Sequence, residues 1–122
     1  MDKNILGVNG CAKDCHSAAV EGGWWYDEDG VKKDRNVGEL LCLIHSEISE
    51  AMEGARKGLM DTHLTHRTMM EVELADSIIR IFDLAESRGF NLGQTIYEKL
   101  EYNKYRVDHK KENRLKEGGK KF

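Results

Sequence analysis

Apolar residues recur every three or four positions along most of this chain, which is the spacing of helices with one buried face. Together with helix-end signals, this spacing predicts four helices, at about residues 4–21, 36–57, 68–88 and 91–107. No stretch alternates between apolar and polar residues, so no strand is predicted. We therefore expect an all-α, four-helix bundle-like domain over residues 1–107 and a basic, flexible tail over residues 108–122.

Local signals mark the ends of these helices. Asn36, Thr68 and Asn91 are each followed three residues later by Glu or Gln, the pattern of a capping box. Gly58 follows the second helix and suits a left-handed closing turn. The chain contains no proline that would interrupt a helix.

Two acidic pairs stand out within the second and third helices. They are Glu47 with Glu50, and Glu73 with Asp76. Residues three apart on a helix share a face, and both pairs lie in apolar stretches where an unneutralised carboxylate is costly. Four convergent acids predict a site for a hard divalent cation, Mg²⁺ or, as the alternative, Mn²⁺. The simpler interpretation is that each acid reaches water or pairs with a basic residue.

The third helix is apolar on most faces, so we expect it to be buried, in part against another subunit. A narrow charged stripe runs through it. Arg80 can pair with Asp76 or Asp83 in this stripe, which leaves Glu73 without an obvious partner.

The fourth helix carries Lys99, Asn103 and Arg106 on one face, at spacings of four and three. A lysine, an amide and an arginine on one ridge can hold phosphate oxygens. The alternative is an ordinary solvated face, since Glu98 and Glu101 are close enough in sequence to pair with these bases.

Composition narrows the class of protein. The 122 residues suggest one domain, and a hydrophobic content of 39% gives a thin core for a monomer, so we expect an oligomer. A net charge of -3 excludes binding of a nucleic acid polymer by bulk charge. There is no signal peptide pattern and no apolar run that would span a membrane, and the three cysteines fit a reduced compartment. These features predict a cytoplasmic protein.

The acidic pairs, separated by 22 residues, together with the Lys99, Asn103 and Arg106 ridge, resemble the signature of the all-α nucleoside triphosphate pyrophosphohydrolases. That superfamily includes MazG proteins, helical dCTP pyrophosphatases and dimeric dUTPases. The resemblance covers about residues 22–106 and is greatest to the short, single-domain MazG-like proteins of bacteria and phages.

The resemblance implies a MazG-like fold and Mg²⁺-dependent cleavage of a nucleoside triphosphate, above all a deoxynucleotide, between its α and β phosphates. It also implies a homodimer or homotetramer, with the site between packed helices. The residues that match catalytic and metal-binding positions are Glu47, Glu50, Glu73 and Asp76, and those that match substrate-binding positions are Lys99, Asn103, Arg106 and Trp25. For Trp25, the alternative is simple core or interface packing.

Two other functions stay open at this point. A non-catalytic helical module that binds nucleotides or regulates a partner would have the same scaffold. A ferritin-like di-metal protein would need Glu-x-x-His pairs, but positions 50 and 76 are Glu and Asp. The identity of a general base is also open, with Glu53 as one candidate outside the four acids. Cys11, Cys15 and His16 lack the second ligand pair of a zinc site.

Overall fold

Five α-helices follow one another in the computed structural model, which describes residues 2–106 and 111–121. They are α1 (Lys3–Glu21), α2 (Val37–Lys57), α3 (Met69–Ser87), α4 (Leu92–Tyr105) and α5 (Lys111–Arg114). These ranges contain no strand beyond two isolated bridges, so the all-α prediction is confirmed. The short α5 lies in the tail, where no helix was predicted. The predicted end of the fourth helix at Val107 falls outside the described residues.

The predicted helix ends have a clear local cause. The side chains of Asn36, Thr68 and Asn91 each accept a hydrogen bond from the backbone N–H three residues later. Only Thr68 has the reciprocal bond, in which its backbone N–H donates to the Glu71 carboxylate at 2.8 Å. Gly58 ends α2 in the left-handed region, with φ of 62°. These contacts satisfy backbone groups that a helix end leaves unpaired.

The chain forms two compact units. The central unit is Gly10–Phe90, and the terminal unit combines Met1–Asn9 with Asn91–Phe122. In the central unit, α2 and α3 pack against each other as a hairpin. A Cβ atom at the buried Gly54 would lie only 2.8 Å from the Cβ and Cγ atoms of Met69, so glycine lets the two helices approach closely at this point.

In the terminal unit, Asn9 fastens the start of α1 to the start of α4. Its side-chain oxygen accepts from the backbone N–H of Gly93 at 2.9 Å, and its Nδ2 donates to Asn91 Oδ1 at 2.8 Å. Ile5 is buried one turn before Asn9. These contacts give α4 a defined starting point within its own unit.

The core is small, as the low apolar content suggests. Among the described residues, three of the five buried apolar side chains are alanines, and Trp25 is the largest of the five at 5% exposure. The expectation that α3 is buried on most faces is wrong for the single chain, because Leu74 and Ile78 are nearly half exposed. The described helices include none that is both long enough and apolar enough to cross a bilayer.

Candidate metal centre and adjoining cavity

The α2–α3 hairpin brings three of the four predicted acids together. Glu47 on α2 meets Glu73 and Asp76 on α3, and one carboxylate oxygen from each lies within 4.8 Å of the other two. We call these three residues the acid cluster. Within residues 2–106 and 111–121, no other group of three potential ligands is this close. Three hard oxygen donors suit Mg²⁺ or Mn²⁺ better than a soft metal ion.

The fourth predicted ligand, Glu50, stands apart from this cluster. It is exposed on α2 and makes no hydrogen bond or ion pair with the described part of the chain. Its charge nevertheless contributes to raising the pKa of Glu73, so it lies near the edge of the cluster. The helix spacing correctly put Glu50 near Glu47, but the packing of α3 decides which oxygens converge.

Arg80 places a positive charge next to the acid cluster. Its Nε donates to Glu47 Oε1 at 3.0 Å, from α3 across to α2. The helical spacing predicted that this guanidinium can pair with Asp76 or Asp83 on its own helix, but it bonds across the hairpin instead. Its charge also acts to lower the pKa of Asp76, against other effects that raise it. One arginine therefore offsets part of the charge of three crowded carboxylates.

The crowding raises the pKa of two of these carboxyl groups. A side-chain hydrogen bond with Glu47, followed by burial and the neighbouring negative charges, raises the pKa of Glu73 to about 7. Burial, and then the charge of Glu47, raise the pKa of Asp76. Because its pKa is about 7, the Glu73 carboxyl can hold a proton near neutral pH, and a divalent cation would take the place of that proton.

A further acid that sequence analysis missed lies close to Asp76. Asp61, in the loop between α2 and α3, accepts hydrogen bonds from the backbone N–H groups of Leu64 at 2.7 Å and His63 at 2.9 Å. These two bonds hold the pKa of Asp61 below its usual range, and its charge contributes to raising that of Asp76. Asp61 has no helical spacing to the other acids, so the sequence held no signal for it.

A cavity of about 520 Å³ adjoins the acid cluster within the central unit. Glu47 and Asp76 line one part of it, and Trp24, Trp25 and Arg35 line another. The volume falls in the range of small-molecule sites. Arg35 was not among the predicted site residues, because nothing in the charged loop that precedes α2 distinguishes it from its neighbours.

Trp25 is held in this cavity by Asp83. Its Nε1–H donates to Asp83 Oδ1 at 2.8 Å, and the same oxygen lies 2.7 Å from His16 Nδ1. The His16 and Trp25 rings meet edge to face, with centroids 5.4 Å apart. Trp25 therefore acts as a buried anchor, as one interpretation of the sequence proposed, and also lines the cavity. We call Asp83, His16 and Trp25 the aromatic cluster.

The predicted phosphate-binding residues belong to the terminal unit. Lys99 and Arg106 flank the Tyr102 ring, with Lys99 Nζ 4.7 Å and Arg106 Cζ 5.8 Å from its centroid. Asn103 Oδ1 is buried and has no hydrogen-bond partner among the described residues. Glu101, one of the acids expected to pair with these bases, bonds to Lys104 instead at 2.9 Å. The role of Lys99, Asn103 and Arg106 stays a prediction from the resemblance.

The candidate general base Glu53 and the candidate zinc ligands Cys11, Cys15 and His16 lie outside the acid cluster. Glu53 is bonded to Lys57 at 2.5 Å, so it is engaged away from the acid cluster. Cys11 and Cys15 are free thiols, and His16 is taken by Asp83. In the described ranges, these three residues are not a group that could hold a metal ion.

Comparisons with models of protein families, with curated proteins and with solved structures give no match for this chain. The MazG-like interpretation therefore depends on the sequence motifs quoted above. The acid cluster and its cavity are structural features that do not depend on those motifs.

Proposed function

We propose that this protein is a Mg²⁺-dependent nucleoside triphosphate pyrophosphohydrolase that cleaves its substrate, a deoxynucleotide above all, between the α and β phosphates. One observation carries the proposal. Three carboxylates from two helices converge within 4.8 Å beside a cavity of about 520 Å³. Most acids in small proteins are spread over the surface, so a convergent, half-buried set next to a cavity favours a ligand-binding role.

The donor set fits the metal ion that the reaction needs. Glu47, Glu73 and Asp76 would hold it through carboxylate oxygens, the ligands that Mg²⁺ prefers. When bound, Mg²⁺ supplies positive charge that neutralises the carboxylates and polarises the phosphate oxygens. Without that charge, an acidic cavity would repel a triphosphate.

The chain's own residues would then position the reacting groups. Water adds to the α-phosphorus, the bond from this phosphorus to the α–β bridging oxygen breaks, and pyrophosphate leaves. The proton of the water passes to a carboxylate. Glu50 is the best placed to take it, because it lies at the edge of the acid cluster and has no partner among the described residues.

The oligomer is part of the same proposal. Leu41, Ile48 and Met52 are exposed on α2, as are Leu74 and Ile78 on α3. Burial of such apolar side chains against a second copy would remove them from water. We therefore propose a homodimer or homotetramer, to be measured by sedimentation equilibrium.

The decisive assay incubates the protein with a panel of NTPs and dNTPs and Mg²⁺ and separates pyrophosphate from orthophosphate. We expect pyrophosphate and a nucleoside monophosphate in equal amounts, and no product when EDTA removes the metal ion. Release of orthophosphate alone would point to a different bond. No product from any nucleotide, with the protein folded, would favour a non-catalytic module.

A matched pair of variants ties the activity to the acid cluster. Glu73→Gln removes one cluster carboxylate, and Glu86→Gln removes a carboxylate elsewhere on the same helix. We expect loss of activity in the first variant only. Equal activity in the two variants would contradict the proposal. A ferritin-like role would instead give bound iron, but the acid cluster contains no histidine.

A further inference from the structure

Arg35 is a half-buried cation without an acceptor. Its guanidinium carbon lies 4.8 Å from the centroid of the Trp25 ring and 5.9 Å from that of Trp24. In the part of the chain that the structure describes, it makes no hydrogen bond and no ion pair, whereas Arg67 and Arg80 both reach carboxylates. Stacking on aromatic rings satisfies the face of a guanidinium but leaves its N–H donors unused.

These unused donors belong to a residue that lines the cavity beside the acid cluster. A polar group that is partly withdrawn from water is costly unless something accepts its hydrogen bonds. Since Arg35 shares the cavity with Glu47 and Asp76, a ligand held at the acid cluster is the molecule that could supply such an acceptor.

The positions of Asp76 and Asp83 on α3 indicate how far the acid cluster lies from the residue that anchors Trp25. Trp25, on which Arg35 stacks, is bonded to Asp83, seven residues beyond Asp76 on α3. Seven residues correspond to roughly 10 Å along a helix. If the phosphates lie at the acid cluster, as the proposed function requires, the base of the same nucleotide would reach the end that Arg35 lines.

The shape of a stacked guanidinium limits which bases it can bind well. Its donors lie in one plane and form a fork that matches two adjacent acceptors. Guanine offers O6 and N7 in this arrangement. Cytosine offers O2 and N3. Adenine and thymine have no two adjacent acceptors that are both free, so they would leave part of the fork unpaired.

We propose that Arg35 is a specificity-determining residue that selects guanine or cytosine nucleotides through a two-pronged contact with the base edge. The inference depends on the proposed function for the position of the phosphates. It assigns a role to a loop residue that neither the acidic motifs nor the ridge on α4 includes.

The test compares kcat/KM for dGTP, dCTP, dATP and dTTP in the wild type, Arg35→Gln and Lys32→Gln. Lys32 lies in the same loop and lines only a smaller neighbouring cavity, not the one beside the acid cluster, so its variant controls for the loss of one positive charge. We expect the wild type to prefer dGTP or dCTP over dATP and dTTP by about 10-fold or more. Arg35→Gln should abolish this preference, and Lys32→Gln should keep it. The ratio of kcat/KM for dGTP to kcat/KM for dCTP shows which of the two bases is selected.

A binding measurement separates this inference from the proposed function. Trp24 and Trp25 are the only tryptophans, so their fluorescence reports on this end of the cavity. Titration with dGMP, dCMP, dAMP and dTMP should show the same preference, and the same loss in Arg35→Gln. If no triphosphate is hydrolysed but this preference is found, the proposed function fails and the base-reading role stands.

Three results would overturn the inference. They are an equal loss for all four bases in Arg35→Gln, an unchanged preference in that variant, or no base preference in the wild type. Arg35→Lys covers the case in which the glutamine variant does not fold, because lysine keeps the charge but lacks the fork. We expect this variant also to lose the base preference, and a retained preference would contradict a two-pronged contact.

Discussion

The acid cluster and the aromatic cluster both contain partly buried carboxylates of α3, but these carboxylates have opposite kinds of neighbours. One oxygen of Asp83 lies within hydrogen-bond distance of both Trp25 Nε1 and His16 Nδ1. Glu73 and Asp76 instead face each other and Glu47, with one arginine for the group. A carboxylate that accepts from two side chains supports the fold, whereas carboxylates that crowd one another repel and would be stabilised by a bound cation.

The same contrast appears in the two arginines of the cavity. Arg80 pairs with Glu47 at 3.0 Å and offsets negative charge. Arg35 stacks on Trp25 and leaves its donors free for a ligand. One end of the cavity is therefore short of positive charge, and the other is short of acceptors. Mg²⁺ would supply the missing positive charge, and the base of a bound nucleotide would supply the missing acceptors. The two ends of the cavity therefore support one proposal.

The largest expected effect comes from Glu73→Gln. We expect at least about a 100-fold loss of Mg²⁺-dependent kcat/KM, because a carboxylate of the proposed metal site is removed. The apo protein should become more stable at pH 8, since a repulsive charge is lost while the shape is kept. Activity assays and urea denaturation check the two parts. A variant that is both active and less stable would show that Glu73 is a structural residue.

Asp83→Ala should have the opposite effect on stability. It leaves the buried Nε1–H of Trp25 without an acceptor and breaks the contact with His16, so we expect a loss of about 2–3 kcal/mol in the free energy of unfolding. Asp83→Asn keeps an acceptor oxygen and should lose less. Urea denaturation followed by tryptophan fluorescence measures both variants. If Asp83→Ala were as stable as the wild type, the contrast between the two clusters would fail.

Gly54→Ala should affect the two clusters unequally. The added Cβ would lie 2.8 Å from Met69 side-chain atoms, so α2 and α3 must separate, at a cost of about 1–3 kcal/mol. The acid cluster needs that helix pair, whereas the aromatic cluster joins α1 and its following loop to α3. We therefore expect weaker Mg²⁺ binding by calorimetry with little change in tryptophan emission. The control is Ala55→Ser, at an exposed neighbouring position.

The smallest effect is a pH dependence that belongs to the acid cluster. Because the pKa of Glu73 is raised from 4.5 to about 7, its protonated form stabilises the apo fold. That contribution is complete below pH 4.5 and is lost as the pH rises through about 7. Metal binding needs the ionised form, so Mg²⁺ affinity should rise by up to about tenfold over the one pH unit below 7.

Calorimetry in two buffers of different ionisation enthalpy would count the protons released when Mg²⁺ binds, near pH 6.5. Mg²⁺ binding should release fewer protons from Glu73→Gln than from the wild type, and as many from Asp83→Asn as from the wild type. Proton release that is unchanged in Glu73→Gln would assign the raised pKa to another group of the cluster.

Local sequence signals account for the helices of this protein. Asn36, Thr68 and Asn91 mark helix starts because a cap joins groups only three residues apart, and no distant contact is needed. The spacing of Glu47 with Glu50, and of Glu73 with Asp76, likewise follows from the helix alone. The all-α class and the candidate acids can therefore be derived from the order of the residues.

Tertiary packing, in contrast, determines which of these groups meet. It sets Glu50 outside the acid cluster, pairs Arg80 with Glu47, and brings His16 and Trp25 to Asp83, across 67 and 58 residues. It also brings Arg35 into the cavity wall. The positions of such side chains depend on how helices pack, on a close approach such as that at Gly54, and on loop paths, none of which has a period in the sequence.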